Sequence, residues 1–431
     1  MKVPKNIYMV GIGGIGMSAL AQLFQHQGKA VSGSDREESP VTKMLAEKGI
    51  SVWVGHDQCQ IPADAELLVY SDAVPADNAE RVRGKEMGIT EMSYFKALGE
   101  VSKTMRTIAI SGTHGKTTTT GMLAAILKAA GKKPTAIVGS IVKDFHSNFL
   151  AGGDDLLVVE ACEYRDHVLE LSPEILVVTN LELDHTDYFP DLEALQKTFA
   201  KAVEKVPAHG FIITDPNDVN IAPVLAGAKA KVVDYTQEDA PELKLMGEFN
   251  RANARAAVSA ARAAYSDISP GLAGDALRDF KGSWRRFEYK GETQQGASVY
   301  DDYAHHPTAV RKTMEAAREK FPDKRIVVAF HPHLYSRTRD FMDDFAKALA
   351  GADEVVLAPI YAAREQPIAG ITSDILAEKI NALGIPAISL PSLSGVRDSL
   401  LAASCRLQAT GLIVTMGAGD IYKVAEQITE E

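Results

Sequence analysis

The segment SGTHGKTTTT (111–120) combines two glycines, a lysine and several hydroxyl groups between a β-branched run, 106–112, and a helical run that ends near Gly131. In that setting backbone N–H groups and the helix N-terminus attract phosphate, lysine reaches the β and γ phosphates, and a hydroxyl binds magnesium. The spacing lacks one glycine of the general motif. The segment nevertheless predicts a nucleoside triphosphate site, made of Gly112, Thr113, His114, Gly115, Lys116, Thr117 and Thr118.

Two further β-branched runs end in groups that bind metal. Glu160 closes DLLVVE (155–160), and Asp184 and His185 follow EILVVTN (174–180). Parallel sheets present ligands at the carboxyl ends of their strands, and these groups suit magnesium beside a triphosphate. We predict Thr117, Glu160 and His185 as metal ligands. Taken singly, Glu160 is equally compatible with an exposed strand end, and His185 with a loop histidine bonded to backbone.

A second glycine loop, GIGGIG (11–16), follows the first apolar run, and Asp35 ends the next one. This pattern fits a dinucleotide such as NAD, any other diphosphate, or a purely structural tight turn. An NAD-dependent oxidoreductase would leave the 111–120 segment without a role. The two loops together indicate ATP-driven chemistry on a nucleotide-linked substrate.

Short β-branched runs alternate with amphipathic helical runs along the chain, which predicts α/β domains with mostly parallel sheets. The pattern divides into three series, with boundaries that give domains 1–104, 105–290 and 291–431. Helices are predicted around 93–101 and 250–265. The strands are predicted at 7–11, 29–35, 51–54 and 67–71, then at 106–112, 155–160, 174–180, 211–215 and 231–235, and finally at 297–303, 325–330, 354–360, 386–390 and 411–417.

Composition narrows the class of protein. The chain has 431 residues, and 46 basic against 57 acidic side chains give a net charge of −11, which disfavours nucleic acid and anionic membranes as partners. Its three cysteines fit a reducing cytoplasm, and no apolar run is long enough for a membrane span.

Eleven segments, in order, resemble those of the Mur ligases: GIGGIGMSALA, VSGSD, YSDAVPADNAE, SGTHGKTTTT, NLELDHTDYF, GEFNRANARAA, RRFE, VYDDYAHHPTAV, FHPHLYSRT, IYAAREQPIAGIT and MGAGDIY. The resemblance covers nearly the whole chain. It implies a Rossmann-like domain for a UDP-sugar, a central phosphate-loop ATPase domain and a Rossmann-like domain for an amino acid. It further implies ATP with Mg²⁺, or Mn²⁺ in its place, and a monomer or weak homodimer.

The reaction that the resemblance implies joins L-alanine to the lactyl carboxylate of UDP-N-acetylmuramate through an acyl phosphate. Lys116, Glu160, His185 and Arg286 would act in phosphoryl transfer, with Arg285 as the neighbouring candidate. The remaining implied contacts are Asn250, Asn253, Arg286 and Asp302 for ATP, Gly13, Gly14, Ile15, Ser34, Asp35, His56 and Ser71 for the UDP-sugar, and Tyr303, His305, His306, His333 and Arg337 for the amino acid.

Three alternatives stay open at this stage. Asn250 is also compatible with a helix N-cap. His306 is also compatible with a histidine cluster at a helix start, and the Arg285–Arg286 pair with a solvated basic pair. The chain departs from the family at Leu334, where many relatives have a second arginine, and at Ala304, where glycine is usual.

Two other interpretations of the whole chain remain. One is a ligase that attaches a recycled tripeptide to the same sugar nucleotide, and the other is a nucleotide-binding regulator without activity.

Overall fold

The computed structural model describes residues 3–363 and 365–430. Contacts divide these residues into two compact units. Unit 1 comprises the residues up to Glu182 together with Glu193–Lys244 and Ala252–Lys281, and unit 2 comprises Leu183–Leu192, Leu245–Arg251 and the residues from Gly282 onward. Three sheets with helices between their strands make the chain an α/β protein.

The first sheet is wholly parallel, with the strand order β3-β2-β1-β4-β5. The glycine loop joins the buried first strand to the first helix, as the sequence pattern predicts. The strands are β1 (Asn6–Val10), β2 (Ala30–Asp35), β3 (Ser51–Val54), β4 (Leu67–Tyr70) and β5 (Thr90–Ser93), and the helices are α1 (Ile15–His26), α2 (Pro40–Glu47), α3 (Ala79–Glu86) and α4 (Tyr94–Ser102).

The second sheet has seven strands in the order β12-β11-β10-β6-β9-β7-β8, and only the β7–β8 pair is antiparallel. The strands are β6 (Arg106–Ser111), β7 (Thr135–Val142), β8 (Ser147–Leu150), β9 (Leu156–Glu160), β10 (Ile175–Val178), β11 (Phe211–Thr214) and β12 (Lys231–Asp234), and the helices are α5 (Lys116–Ala129), α6 (Leu192–Lys205), α7 (Glu248–Ala264) and α8 (Pro270–Arg278).

Asn148 of β8 joins the first two sheets within unit 1. Its side chain is fully buried and donates to the Ile15 carbonyl at 2.5 Å and to Ser18 Oγ at 2.9 Å, both in α1. The Gln22 amide donates back to Asn148 Oδ1 at 3.1 Å. The helix that starts at the glycine loop is therefore attached to the sheet that carries the phosphate loop.

The third sheet, in unit 2, has the order β13-β14-β18-β15-β16-β17, with β13 antiparallel to β14. Apolar side chains bury both of its faces. The strands are β13 (Glu288–Glu292), β14 (Ser298–Asp302), β15 (Arg325–Phe330), β16 (Glu354–Leu357), β17 (Ala387–Ser389) and β18 (Gly411–Met416), and the helices are α9 (Pro307–Lys320), α10 (Tyr335–Asp340), α11 (Met342–Leu349), α12 (Ser373–Ala382), α13 (Leu393–Leu407) and α14 (Ile421–Glu430).

Every strand that the sequence pattern predicts is present, within a few residues at either end. The pattern did not predict β5, the β7–β8 hairpin or β13. β13 lies across the boundary predicted between residues 290 and 291. Within 3–363 and 365–430, no helix has both the length and the apolar character needed to cross a membrane.

Candidate active site

The phosphate loop has the backbone that its glycines predict. Gly112 has φ +120°, and a Cβ there would lie 2.3 Å from Thr179 Oγ1. Gly115 has φ +85° and precedes α5 with no side-chain cap, so the first amides of that helix are left for a ligand. A Cβ on Gly115 would lie 2.2 Å from Asn253 Oδ1. Both positions therefore require glycine.

Lys116 is held over the loop by a buried carboxylate that the sequence analysis did not single out. Its Nζ lies 3.0 Å from both carboxylate oxygens of Glu163, which is 1% exposed, and it donates to the Gly112 carbonyl at 2.5 Å. Burial acts to lower the pKa of Lys116, but Glu163, Cys162 and Glu160 outweigh it and raise that pKa. Lys116 is thus a positioned cation. The sequence feature that could have indicated Glu163 is its position as the second acidic residue of EACE (160–163), just after β9.

Glu160 and Thr117 meet at the end of β9. Thr117 Oγ1 donates to Glu160 Oε2 at 2.9 Å, and the Gly139 amide donates to the same oxygen at 2.8 Å. A carboxylate oxygen beside a hydroxyl oxygen is the donor set that Mg²⁺ prefers. These two residues therefore fit the metal role predicted for them.

The other residues of the phosphate loop are bonded to the strand end after β10. Thr113 Oγ1 donates to the Glu182 carbonyl at 2.9 Å, and the His114 amide donates to Asn180 Oδ1 at 2.9 Å. Thr118 is buried in the first turn of α5. These bonds hold the loop in place through neighbouring strands.

The glycine loop at the end of β1 is open to a ligand at the start of α1. Gly14 caps α1 without a side-chain hydrogen bond, and Ile15 is the first helical residue. The Gly13 amide donates to Asp35 Oδ2 at 2.8 Å. Gly11 has φ +79°, and a Cβ there would lie 3.0 Å from Ser71 Cβ. The loop thus brings together Asp35, Ser71 and the uncapped start of α1.

Ser34 and His56 are organised by a buried acid that the sequence analysis missed. Glu80 is fully buried and accepts from Ser34 Oγ at 2.6 Å and from Tyr8 Oη at 2.6 Å. His56 Nδ1 lies 3.0 Å from both Ser34 Oγ and Glu80 Oε2. Nothing in the local spacing indicates Glu80, because it lies on α3 and meets Ser34 and His56 only through the fold.

Tyr94, the first residue of α4, lies against Gly16 of the glycine loop. A Cβ on Gly16 would lie 2.8 Å from Tyr94 Oη. Burial, then Glu160 and Cys162, raise the pKa of the Tyr94 phenol well above its ordinary value. The half-buried ring contacts Phe95 edge to face, with centroids 4.7 Å apart.

In unit 2 the two neighbouring arginines have different surroundings. Arg285 is 3% exposed and donates to Asp301 Oδ2 at 2.8 Å and to the carbonyls of Gly417 and Gly419 at 2.5 and 2.9 Å. Arg286 is half-buried, and its guanidinium carbon lies 5.2 Å from the centre of the Tyr303 ring. Arg285 is therefore a structural residue, which leaves Arg286 as the functional candidate of the pair.

Asp302 ends β14 and is almost fully buried. It accepts from the amides of Phe287 at 2.6 Å and Ala304 at 2.7 Å. Burial raises the pKa of Asp302 to about 6, against the lowering effect of Arg286 and of the two amides. Ala304 has no positive φ, so the alanine causes no backbone strain there.

Arg337, predicted to bind a substrate carboxylate, is paired with a carboxylate of the chain. Its Nε and Nη2 donate to Asp184 Oδ1 at 3.0 and 2.7 Å, and its Nη1 lies 3.0 Å from His333 Nδ1. Burial acts to raise the pKa of Asp184, but Arg337 outweighs it and holds that pKa well below its usual range. The His305 ring lies 5.9 Å from that of His333. Burial and Arg337 lower the pKa of His305 well below its usual range.

The remaining candidates of unit 2 have structural contacts. His306 caps α9, with Nδ1 accepting from the Thr308 amide at 3.3 Å, and its Nε2 lies 3.1 Å from the Leu183 carbonyl. Asn250 donates to the Met246 carbonyl at 2.7 Å. The His185 amide donates to Asp184 Oδ1 at 2.7 Å, and His185 has φ +54°. Leu334, with φ +69°, is the N-cap residue of α10, and its side chain is buried.

Comparison with protein families assigns the chain. Three Mur ligase family models match consecutive stretches: the "Mur ligase family, catalytic domain" at residues 6–106, the "Mur ligase middle domain" at 110–242 and the "Mur ligase, glutamate ligase domain" at 285–419. The chain belongs to the Mur ligase family. The predicted family and the α/β class with three domains are confirmed.

Two of three individual relatives cover almost the whole chain. It is 36% identical to the UDP-N-acetylmuramate–L-alanine ligase of Caldicellulosiruptor saccharolyticus, across 99% of this chain and 98% of that one. The crystal structure of the UDP-N-acetylmuramate-alanine ligase of Thermotoga maritima is similar with a TM-score of 0.81 and 28% identity, covering 99% and 98% of the two chains. The UDP-N-acetylmuramate:L-alanyl-gamma-D-glutamyl-meso-diaminopimelate ligase of Neisseria meningitides is similar with a TM-score of 0.59 and 29% identity, covering 66% of this chain and all of that one.

Proposed function

We propose that this protein is an ATP-dependent ligase that joins L-alanine to the lactyl carboxylate of UDP-N-acetylmuramate, a step of peptidoglycan precursor synthesis. The observation that carries the proposal is the pairing, in one compact unit, of a phosphate loop with a positioned lysine and a separate glycine loop suited to a diphosphate. Full-length similarity to relatives of that activity supports the choice of substrates.

The chemistry needs positioned charge rather than a protein nucleophile. A carboxylate oxygen of the sugar nucleotide attacks the γ-phosphorus of ATP, and ADP leaves. The amine of L-alanine then attacks the acyl carbon, loses a proton, and inorganic phosphate leaves as the amide forms. Lys116 and Arg286 stabilise the charge on the transferred phosphoryl group, while Asn250, Asn253 and Asp302 bind the nucleoside of ATP.

Thr117 and Glu160 would hold a magnesium ion, with His185 as a further ligand. When bound, the ion neutralises charge on the phosphates. The glycine-loop residues with Ser34, Asp35, His56 and Ser71 bind the sugar nucleotide. Tyr303, His305, His306, His333 and Arg337 form the amino-acid site, and the domains divide at 104/105 and 290/291. We further propose a cytoplasmic monomer or weak homodimer.

Lowering the pH is expected to weaken ATP binding through Asp302. Its carboxyl has a pKa of about 6. Below that pH it becomes protonated and stops accepting hydrogen bonds as an anion. The KM for ATP should therefore be constant above pH 7 and rise up to about tenfold for each unit below 6. Steady-state kinetics from pH 5 to 8 measure this. The Asp302→Asn variant controls for the titration of ATP itself. If the KM for ATP depends on pH in the same way in the wild type and in this variant, the role of Asp302 in ATP binding is contradicted.

The function is tested by phosphate release from ATP and Mg²⁺ in the presence of UDP-N-acetylmuramate. The amines compared are L-alanine, glycine, L-serine, L-Ala-D-Glu-meso-diaminopimelate and none. We expect release that requires the sugar nucleotide and is fastest with L-alanine. Preference for the tripeptide would assign the chain to the recycling ligases, and ATP binding without release in any mixture would favour a regulator.

A further inference from the structure

Tyr94 contacts the glycine loop and begins the helix that packs on the segment after β9. On one side its phenol lies against Gly16 of the glycine loop, so closely that any side chain at that position would collide with it. On the other side, the ring of the next residue, Phe95, stacks on His167 in the segment that follows β9, with the ring centroids 3.5 Å apart. All of these residues belong to unit 1.

The topology of the first sheet places Tyr94 beside the ligand crevice. In the order β3-β2-β1-β4-β5, the chain reverses direction across the sheet between β1 and β4. Ligands of open parallel sheets bind outside the carboxyl ends of the strands at such a point. The glycine loop follows β1, Ser71 follows β4, and Tyr94 follows β5. Tyr94 is therefore at the same edge as the predicted sugar-nucleotide contacts.

The phenol is a hydrogen-bond donor that the protein does not use. In the part of the chain that the structure describes, Tyr94 Oη has no protein hydrogen-bond partner, and the side chain is only half-buried. A tyrosine phenol is neutral near pH 7 and can donate one hydrogen bond. Such a donor bonds most strongly to an ionised oxygen, such as a carboxylate of the ligand.

We propose that Tyr94 is a substrate-binding residue that donates its phenol hydrogen bond to the lactyl carboxylate of the sugar nucleotide and directs it to the phosphate loop. This inference rests on the proposed function and adds a specificity residue to it. Tyr94 distinguishes a sugar nucleotide that carries the carboxylate from one that lacks it, because only the first provides the acceptor.

The test compares Tyr94→Phe with the wild type by calorimetric titration of two ligands, UDP-N-acetylmuramate and UDP-N-acetylglucosamine, which lacks the lactyl group. Phenylalanine keeps the ring against Gly16 and Phe95. Since hydrogen bonds to charged groups are the stronger ones, the variant should bind UDP-N-acetylmuramate about 10- to 100-fold more weakly. Its affinity for UDP-N-acetylglucosamine should change less than about twofold. In steady-state assays the KM for UDP-N-acetylmuramate should rise, while those for ATP and L-alanine stay within about twofold.

Tyr289→Phe is the matched control, because Tyr289 is half exposed on β13. It should leave both affinities unchanged. Equal weakening of both ligands by Tyr94→Phe, or an unchanged preference for UDP-N-acetylmuramate, overturns the inference while the ligase activity of the wild type stands. If the wild type binds neither ligand, the proposed function fails and the inference fails with it.

Discussion

Replacing Lys116 with methionine is expected to slow sugar-nucleotide-dependent phosphate release about 1,000-fold, because the transferred phosphoryl group loses its positioned cation. The same change removes the Lys116 ammonium from the buried Glu163 carboxylate, whose two oxygens each lie 3.0 Å from Lys116 Nζ. Breaking a buried ion pair in this way costs about 3–5 kcal/mol of folding free energy. The single variant should therefore lose both activity and stability.

The double variant Lys116→Met/Glu163→Gln separates these two effects. Replacing the Glu163 carboxylate with a neutral amide should recover most of the stability in urea unfolding, while phosphate release stays about 1,000-fold slow. Lys128→Met is the matched control, because Lys128 is exposed on the same helix, α5. A double variant that retains phosphate release within tenfold of the wild type would refute the role of Lys116.

Replacing Arg285 with methionine is expected to destabilise unit 2 by about 3–5 kcal/mol, because Asp301 is fully buried and would lose its cation. Burial raises the pKa of Asp301, and Arg285 and Thr415 oppose that rise. Without Arg285 the pKa rises further. The folded state then holds a proton that the unfolded state releases, so the variant should lose stability relative to the wild type as the pH increases from 4 to 8.

The chain has two tryptophans, and Trp284 lies next to Arg285 in unit 2, whereas Trp53 lies in unit 1. All variants and the reference protein carry Trp53→Phe, so that the fluorescence change during urea unfolding comes from Trp284 alone.

The double variant Arg285→Met/Asp301→Asn should recover part of the lost stability, and the pH dependence of its stability should disappear. Arg286→Met, the neighbouring control, should lose phosphate release but little stability. Equal losses of stability for the two single arginine variants would show that Arg285 is not the structural member of the pair.

The sequence predicted most of the fold because its buried parallel strands are continuous β-branched runs, as in IYMVG and RIVVAF. The strands that were missed carry less of that signal. β5 is the polar run TEMS at a sheet edge, and β13 is the polar run EYKGE. Their positions depend on pairing with β4 and β14, which local periodicity does not reveal.

The candidate site was predictable where chemistry follows chain order, as in the phosphate loop. It was not predictable where a charged side chain pairs with an opposite charge from a distant segment of the chain. Arg337 was assigned to a substrate carboxylate, and the structure pairs it with Asp184, 153 residues away in the sequence. Glu80 and Tyr94 acquire their surroundings only through sheet order. In each case the decisive partner is remote in the chain, so no local spacing could indicate it.

The attachment of α1 to β8 through Asn148 raises the effective concentration of one bound substrate near the other. Folding has already joined the glycine loop and the phosphate loop in one unit, so neither nucleotide has to organise the binding site of the other. A carboxylate delivered from the first loop would meet the γ-phosphate as an intramolecular neighbour, at a local concentration set by the rigid framework and not by diffusion. The substrates lose their translational entropy when they bind, and the preformed framework limits the further entropy lost in bringing the reacting groups together.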